Sequence, residues 1–285
     1  MSAAPPAARR GGPRTRRPRP GVWSTLVAFV RADFVEEISY PMTFAFTIVR
    51  TVMPLFLSFF VGQLIRDAAE VGNDYLTFVA IGLGISAMLN GALAGFGSTL
   101  TAAFQRGTLE TYLVEPIPWT FLPIAMNTFQ LLLGILQGTV ILAVGAMLGA
   151  NFVLSGIPQL VLLILLGIVA TNAIGILSAS VLVLSLKSQP ILAVYSLAAT
   201  LLAGSAFSVD QLPPFLQFFA YLIPHTYVIN GARTLLMEDP GSFYISFQTA
   251  VVVLSAFSLV VFPIGLFLYR RSLEMARRMG VLSGY

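Results

Sequence analysis

Cysteine is absent from this 285-residue chain, so disulfide frameworks, thiolate metal sites and cysteine nucleophiles are excluded, and no metal site is expected. Lysine occurs once, at Lys187, and no GxxxxGKS/T pattern precedes it. The chain therefore lacks the phosphate-binding loop through which a nucleotide would be hydrolysed. Histidine also occurs once, at His225. A serine–histidine pair with Ser205 or Ser208 would be needed for hydrolysis, but the local sequence AGSAFSVD has no GxSG turn. Following Pro224, His225 reads as a capping or interfacial residue. Charge itself is scarce. Charged residues make up 10% of the chain and hydrophobic residues 57%, against about a quarter charged in soluble domains. The balance points to a membrane protein, all-α in class. The net charge of +4 does not indicate nucleic acid, because the basic residues collect in the tails.

The first 20 residues hold six arginines, five prolines and no acid. No apolar run follows them, so residues 1–21 read as a disordered tail rather than a secretory signal. Its charge suits anionic lipid heads on the cytoplasmic side. Residues 22–40 place Trp23, Leu26, Val27, Val30, Phe34 and Ile38 at helical spacing, with Ser24, Thr25, Arg31, Asp33 and Glu36 opposite. That pattern predicts an amphipathic helix lying in the membrane interface, with Glu37 at its apolar edge in need of a partner. A transmembrane domain is expected over 41–271 and a cytoplasmic tail over 272–285. Spanning takes about 20 apolar residues, and six stretches qualify: 42–65, 75–100, 119–149, 158–186, 190–209 and 245–269. With both ends cytoplasmic, the inside collects thirteen basic residues and the outside only Arg66 and Arg233, as the positive-inside rule requires. Arg50 falls within the first span and must snorkel inward or pair with Glu36 or Glu37. The abundance of Ala, Gly, Pro and Arg fits a GC-rich bacterial source and hence a plasma-membrane location.

Between the fifth and sixth spans lie LPPFLQFFAYLI and HTYVINGARTLLM, each apolar but too short to cross, with Pro213 leading in and Pro224 between them. Two half-helices dipping into the outer leaflet as a re-entrant hairpin fit both facts. The four spans after Trp119 carry no charge at all, which weighs against a proton-coupled transporter. Their polar residues are patterned instead. Asn127, Gln130 and Gln137 lie within about 80° on the third span at helical periodicity. Thr171, Ser178 and Ser185 repeat every seven residues on the fourth, and Ser196, Thr200 and Gly204 every four on the fifth. Helix packing and a polar substrate path both account for such residues. Gly91xxxGly95 and Gly134xxxGly138 read as close-approach packing.

The stretch QRGTLETYLVEPIPWTFL, beginning at Gln105, breaks two apolar runs with a short helix. Leu109, Tyr112 and Leu113 form its apolar side, Glu110 lies off it, and Pro116 ends it. This stretch resembles the cytoplasmic segment between the second and third spans of ABC-2-type transporter permeases, where a GTLE-like motif precedes a proline-bounded turn. Residues 203–233, AGSAFSVDQLPPFLQFFAYLIPHTYVINGAR, resemble the same family's signature of a small-residue stretch, a Leu-Pro pair, and a closing P-x-T-Y…G-x-R. The resemblance runs from about Trp23 to Arg271. It implies a six-span exporter subunit working as a homodimer or heterodimer with a second permease, each docked to a separate ATP-binding subunit. ATP and Mg²⁺ would be bound by that partner, with no cofactor on this chain. It also implies that Arg106, Gly107, Thr108 and Glu110 face the ATP-binding partner, with Leu109, Tyr112 and Leu113 as apolar anchors, and that Pro213–Arg233 forms the outer hairpin. A self-contained channel or secondary transporter, and an intramembrane hydrolase, are the competing readings. Substrates of the family include drugs, antibiotics, lipids and glycans.

Overall fold

Proline opens three of the helices and stands one residue inside three more, where its missing N–H costs nothing, and glycine turns close two of the six. The computed structural model describes residues 22–66, 72–105, 122–185, 189–238 and 245–278. Those residues form nine α-helices and two short 3-10 turns: α1 (Val22–Ser39), α2 (Pro41–Arg66), α3 (Gly72–Gln105), α4 (Leu122–Met147), α5 (Ile157–Ser185), α6 (Gln189–Leu202), α7 (Pro214–Leu222), α8 (Pro224–Leu236) and α9 (Phe247–Arg278). No strand occurs among them. The all-α expectation holds.

Five helices, α2, α3, α4, α5 and α9, are long and apolar enough to cross a membrane. The expected fifth span, 190–209, is shorter than anticipated. Helix α6 has 14 residues, below the length that spans a bilayer core. It stops because Gly204 adopts a left-handed backbone (φ +79°), open to glycine without a Cβ penalty, and the chain then turns through small residues. Helix α4 closes in a similar way, with Gly149 at φ +104° and the Ala150 N–H returning to the Gly145 carbonyl. The last helix runs past the expected 269 to Arg278, its charged final turns including an Arg270–Glu274 pair at 3.1 Å.

Helix α3 is the axis of the bundle. It packs on α4 most extensively, then on α5, α2, α8 and α6. Glycine permits the α3–α4 approach: a Cβ on Gly91 would lie 2.5 Å from the Gly134 Cα, and one on Gly138 would overlap the Gly84 carbonyl. Both predicted GxxxG pairs thus serve helix contact. The main apolar core joins α3, α5, α8 and α9 through Ile85, Leu89, Leu163, Val228, Ile229 and Leu254. Helix α1 packs against α4 and α2 with its polar flank partly turned inward. Thr25 is buried and Asp33 and Glu37 half-buried, while Trp23, Val27, Phe34 and Ile38 remain uncovered. The bare apolar face is the one expected to meet lipid.

Candidate functional site

Two features carry polar chemistry inside this apolar bundle: a buried arginine centre at the hairpin, and an open chamber between α2, α3, α4 and α6. The hairpin forms because Ile223 is extended (φ −92°, ψ 120°) and Pro224 starts a new helix. Helices α7 and α8 meet there at a corner whose exposed carbonyls are taken up by side chains. Thr226 Oγ1 donates to the Ala220 carbonyl at 2.6 Å and Tyr227 Oη to that of Tyr221 at 3.0 Å. Helix α8 is buried almost throughout, whereas α7 leaves Phe215, Phe218, Phe219, Tyr221 and Leu222 uncovered. The two adjacent helices are thus treated oppositely, one arm facing the bundle and the other uncovered.

Arg233, expected on the outer side, is 1% exposed. Its Nη2 donates to the Gly204 carbonyl at 2.7 Å and to that of Ser205 at 3.2 Å. Nη1 meets Asn230 Oδ1 at 3.1 Å, and Nε meets the Phe78 carbonyl at 3.3 Å. The guanidinium also stands 3.3 Å over the Phe78 ring centroid, a cation–π geometry. One side chain therefore ties α8 to α3 and to the turn after α6. Only a planar group with five fixed donors reaches so many acceptors at once. His225 is buried within the first turn of α8, its Nδ1 3.3 Å from Tyr195 Oη. It caps no helix end: its Nδ1 meets a side chain, and its Nε2 has no hydrogen-bond partner among the described residues. Neither Ser205 nor Ser208 is hydrogen-bonded to it; Ser205 Oγ donates to the Thr200 carbonyl.

The chamber has a volume of about 530 Å³, within the range of small-molecule pockets, about 300–1,000 Å³. Helix α2 contributes Thr43, Thr47, Arg50 and Thr51, at helical offsets that bring them to one face. Thr47 and Thr51 donate their hydroxyls to the carbonyls of Thr43 and Thr47, which leaves their oxygens free to accept. Ser86 and Asn90 of α3, Gln130 and Gln137 of α4, Thr200 of α6 and Glu37 of α1 complete the polar wall. Glu37 and Arg50 share the chamber, yet no ion pair joins them among the described residues.

Of the polar span residues singled out by sequence, Gln130, Gln137 and Thr200 line this chamber. Three of the others, Asn127, Thr171 and Ser178, are buried in the bundle. Asn127 Nδ2 donates to the Ala92 carbonyl at 2.6 Å and to Asn172 Oδ1 at 2.9 Å. Thr171 and Ser178 donate to the Gly167 and Gly175 carbonyls of their own helix. Thr43, Thr47, Thr51, Ser86 and Asn90 were not anticipated, although the threonine–arginine face of α2 was there to be read from its spacing. Arg106, Gly107, Thr108, Leu109, Glu110, Tyr112 and Leu113 lie outside the described residues.

A bundle of long apolar helices around a polar chamber defines a multi-pass membrane transport domain. The model of the family described as ABC-2 type transporter matches residues 38–237, well over half of the chain, and the chain belongs to that family. The family is the membrane component of a transporter. No curated protein matches the sequence.

Proposed function

We propose that this chain is the membrane subunit of an ABC exporter, driven by ATP bound and hydrolysed on a separate subunit. The family match over 38–237 carries the reading, since it encloses both the 104–121 segment and the hairpin. The absence of a phosphate-binding loop in the sequence supports a division of labour with a partner. In this reading the protein lies in the bacterial plasma membrane with both termini cytoplasmic. The 104–116 segment docks on the ATP-binding subunit, and two permeases, identical or different, stand side by side. The substrate passes by the polar chamber, where Gln130, Gln137 and Thr200 would bind and orient it. Helices α7 and α8 form the outer hairpin, held to the bundle by Arg233.

Co-expression with an ATP-binding subunit of the same source is the test. The two chains should purify together, and proteoliposomes of the complex should show ATPase activity stimulated by exported compounds. Failure of the permease to associate with any such subunit, together with transport by the permease alone, would favour the secondary-transporter reading instead.

A further inference from the structure

The polar chamber does not stand alone. An apolar groove of about 490 Å³ lies between α1, the start of α2 and α4, bounded by Phe34, Ile38, Phe44, Phe129, Leu132 and Leu136. Chamber and groove share two wall residues, Glu37 and Leu133. A polar compartment thus adjoins an apolar one at a carboxylate. Each volume on its own is that of a small-molecule pocket, about 300–1,000 Å³.

The polar side of this pair is under-satisfied. Ser86 is 4% exposed, and neither its Oγ nor Asn90 Oδ1 has a hydrogen-bond partner among the described residues. Both residues line the chamber. Buried polar atoms of this kind cost roughly 1–3 kcal/mol each when left unpaired, so a ligand that supplies partners gains by doing so. The charges are likewise unspent: among the described residues Arg50 and Glu37 face the same space, and neither is in an ion pair. An ordinary anionic head would satisfy Arg50 and be repelled by Glu37, and a cationic head the reverse. A head carrying both signs satisfies both.

We propose that chamber and groove form one site for a zwitterionic amphiphile drawn from the surrounding bilayer. Its charged head sits between Arg50 and Glu37, and its alkyl chain lies along Phe34, Phe129 and Leu132. The Asn90, Gln130 and Gln137 amides, each able both to donate and to accept, hold the oxygens of the head. The occupant reaches the chamber from the side, through the groove beneath α1. This names a substrate class for the exporter and rests on that reading for the export step alone; binding requires neither ATP nor a partner.

The test uses the full chain in lipid nanodiscs doped with a photoactivatable phosphatidylethanolamine that carries its diazirine on the acyl chain. After irradiation, label should concentrate on residues 30–44 and 129–136, well above the label on the uncovered face of α9 at Val252 and Leu259. Lysophosphatidylethanolamine in excess should displace it from the wild-type chain, a measurement that needs no variant. Arg50→Gln and Glu37→Gln should each lower groove labelling about tenfold or more through loss of a charge-assisted contact, with α9 labelling unchanged. Labelling of the groove no stronger than that of α9 would overturn the proposal. Equal or stronger labelling by the anionic phosphatidylglycerol analogue would also overturn it, as would indifference to Glu37→Gln. Disulfide-linked dimers formed quantitatively by an Ile38→Cys chain would assign the groove to a second copy and overturn it too. None of these readouts involves the ATP-binding subunit, so their failure leaves the exporter reading to stand or fall on co-purification.

Discussion

Truncating Arg233 to alanine should unfasten the α7–α8 hairpin, and the structure gives the size of the effect. Arg233 Nη2 is the donor for the carbonyls of Gly204 and Ser205, and both lie in the turn after α6 rather than inside a helix. The Phe78 carbonyl, by contrast, sits within α3 and keeps its helical donor. Arg233→Ala therefore strands two buried acceptors at about 1–3 kcal/mol each, or roughly 2–6 kcal/mol in all. For a domain of this size that corresponds to a fall in Tm of at least about 4 °C, measured by fluorescence-detected unfolding in a fixed detergent. A second substitution tests the geometry. A Cβ on Gly82 would overlap the Ser205 carbonyl and come within 2.7 Å of Arg233 Nη2, so Gly82→Ala disturbs the same contact from the α3 side. The double variant should then be less destabilised than the sum of the singles, because a bond already lost cannot be lost again. Arg233→Lys should fall between wild type and alanine, since an ammonium supplies charge and donors but not the planar fork over Phe78. A Tm within 2 °C of wild type for Arg233→Ala, or strict additivity with Gly82→Ala, would refute the reasoning.

Three further outcomes are expected. On the proposed docking, Leu109→Asp would place a charge among the apolar anchors and should abolish co-purification and transport while leaving membrane insertion intact, because apolar anchors carry most of such binding energy; wild-type levels of both would reduce the segment to a connector. Because the chain has no native cysteine, Thr15→Cys and Gly280→Cys should resist an impermeant thiol reagent in intact cells and Glu70→Cys should react, with outside labelling of Gly280→Cys reversing the orientation. Gly91→Val should force α3 and α4 apart at Gly134 and lower the yield of monodisperse protein severely, whereas Gly149→Ala, with open space around its Cβ position, should cost only about 1–2 kcal/mol of left-handed backbone strain, read as a small shift in Tm.

The sequence alone determined the class of this molecule. Long apolar runs have few ways to satisfy their backbone, and helices are the form a bilayer allows them, so α2, α3, α4, α5 and α9 were legible from length and composition. So was the break at Pro224, since proline restricts the residue before it wherever it occurs. The closeness of α3 and α4 was legible in Gly91, Gly95, Gly134 and Gly138, because a missing Cβ is a local property. Where α6 ends was not legible. Its apolar run continues past Leu202, and the stop depends on Gly204 taking a left-handed turn that Arg233, 29 residues on, holds in place. Nor could Arg233 be assigned inside the protein, as hydropathy counts its charge without seeing the carbonyls that surround it. The polar residues divide for the same reason. Asn127 and Gln130 are three residues apart on one helix, yet Asn127 meets α3 and α5 while Gln130 opens to the chamber. Periodicity gives a residue's angle on its own helix, and only the packing of four helices around that angle decides whether it meets a neighbour or a cavity.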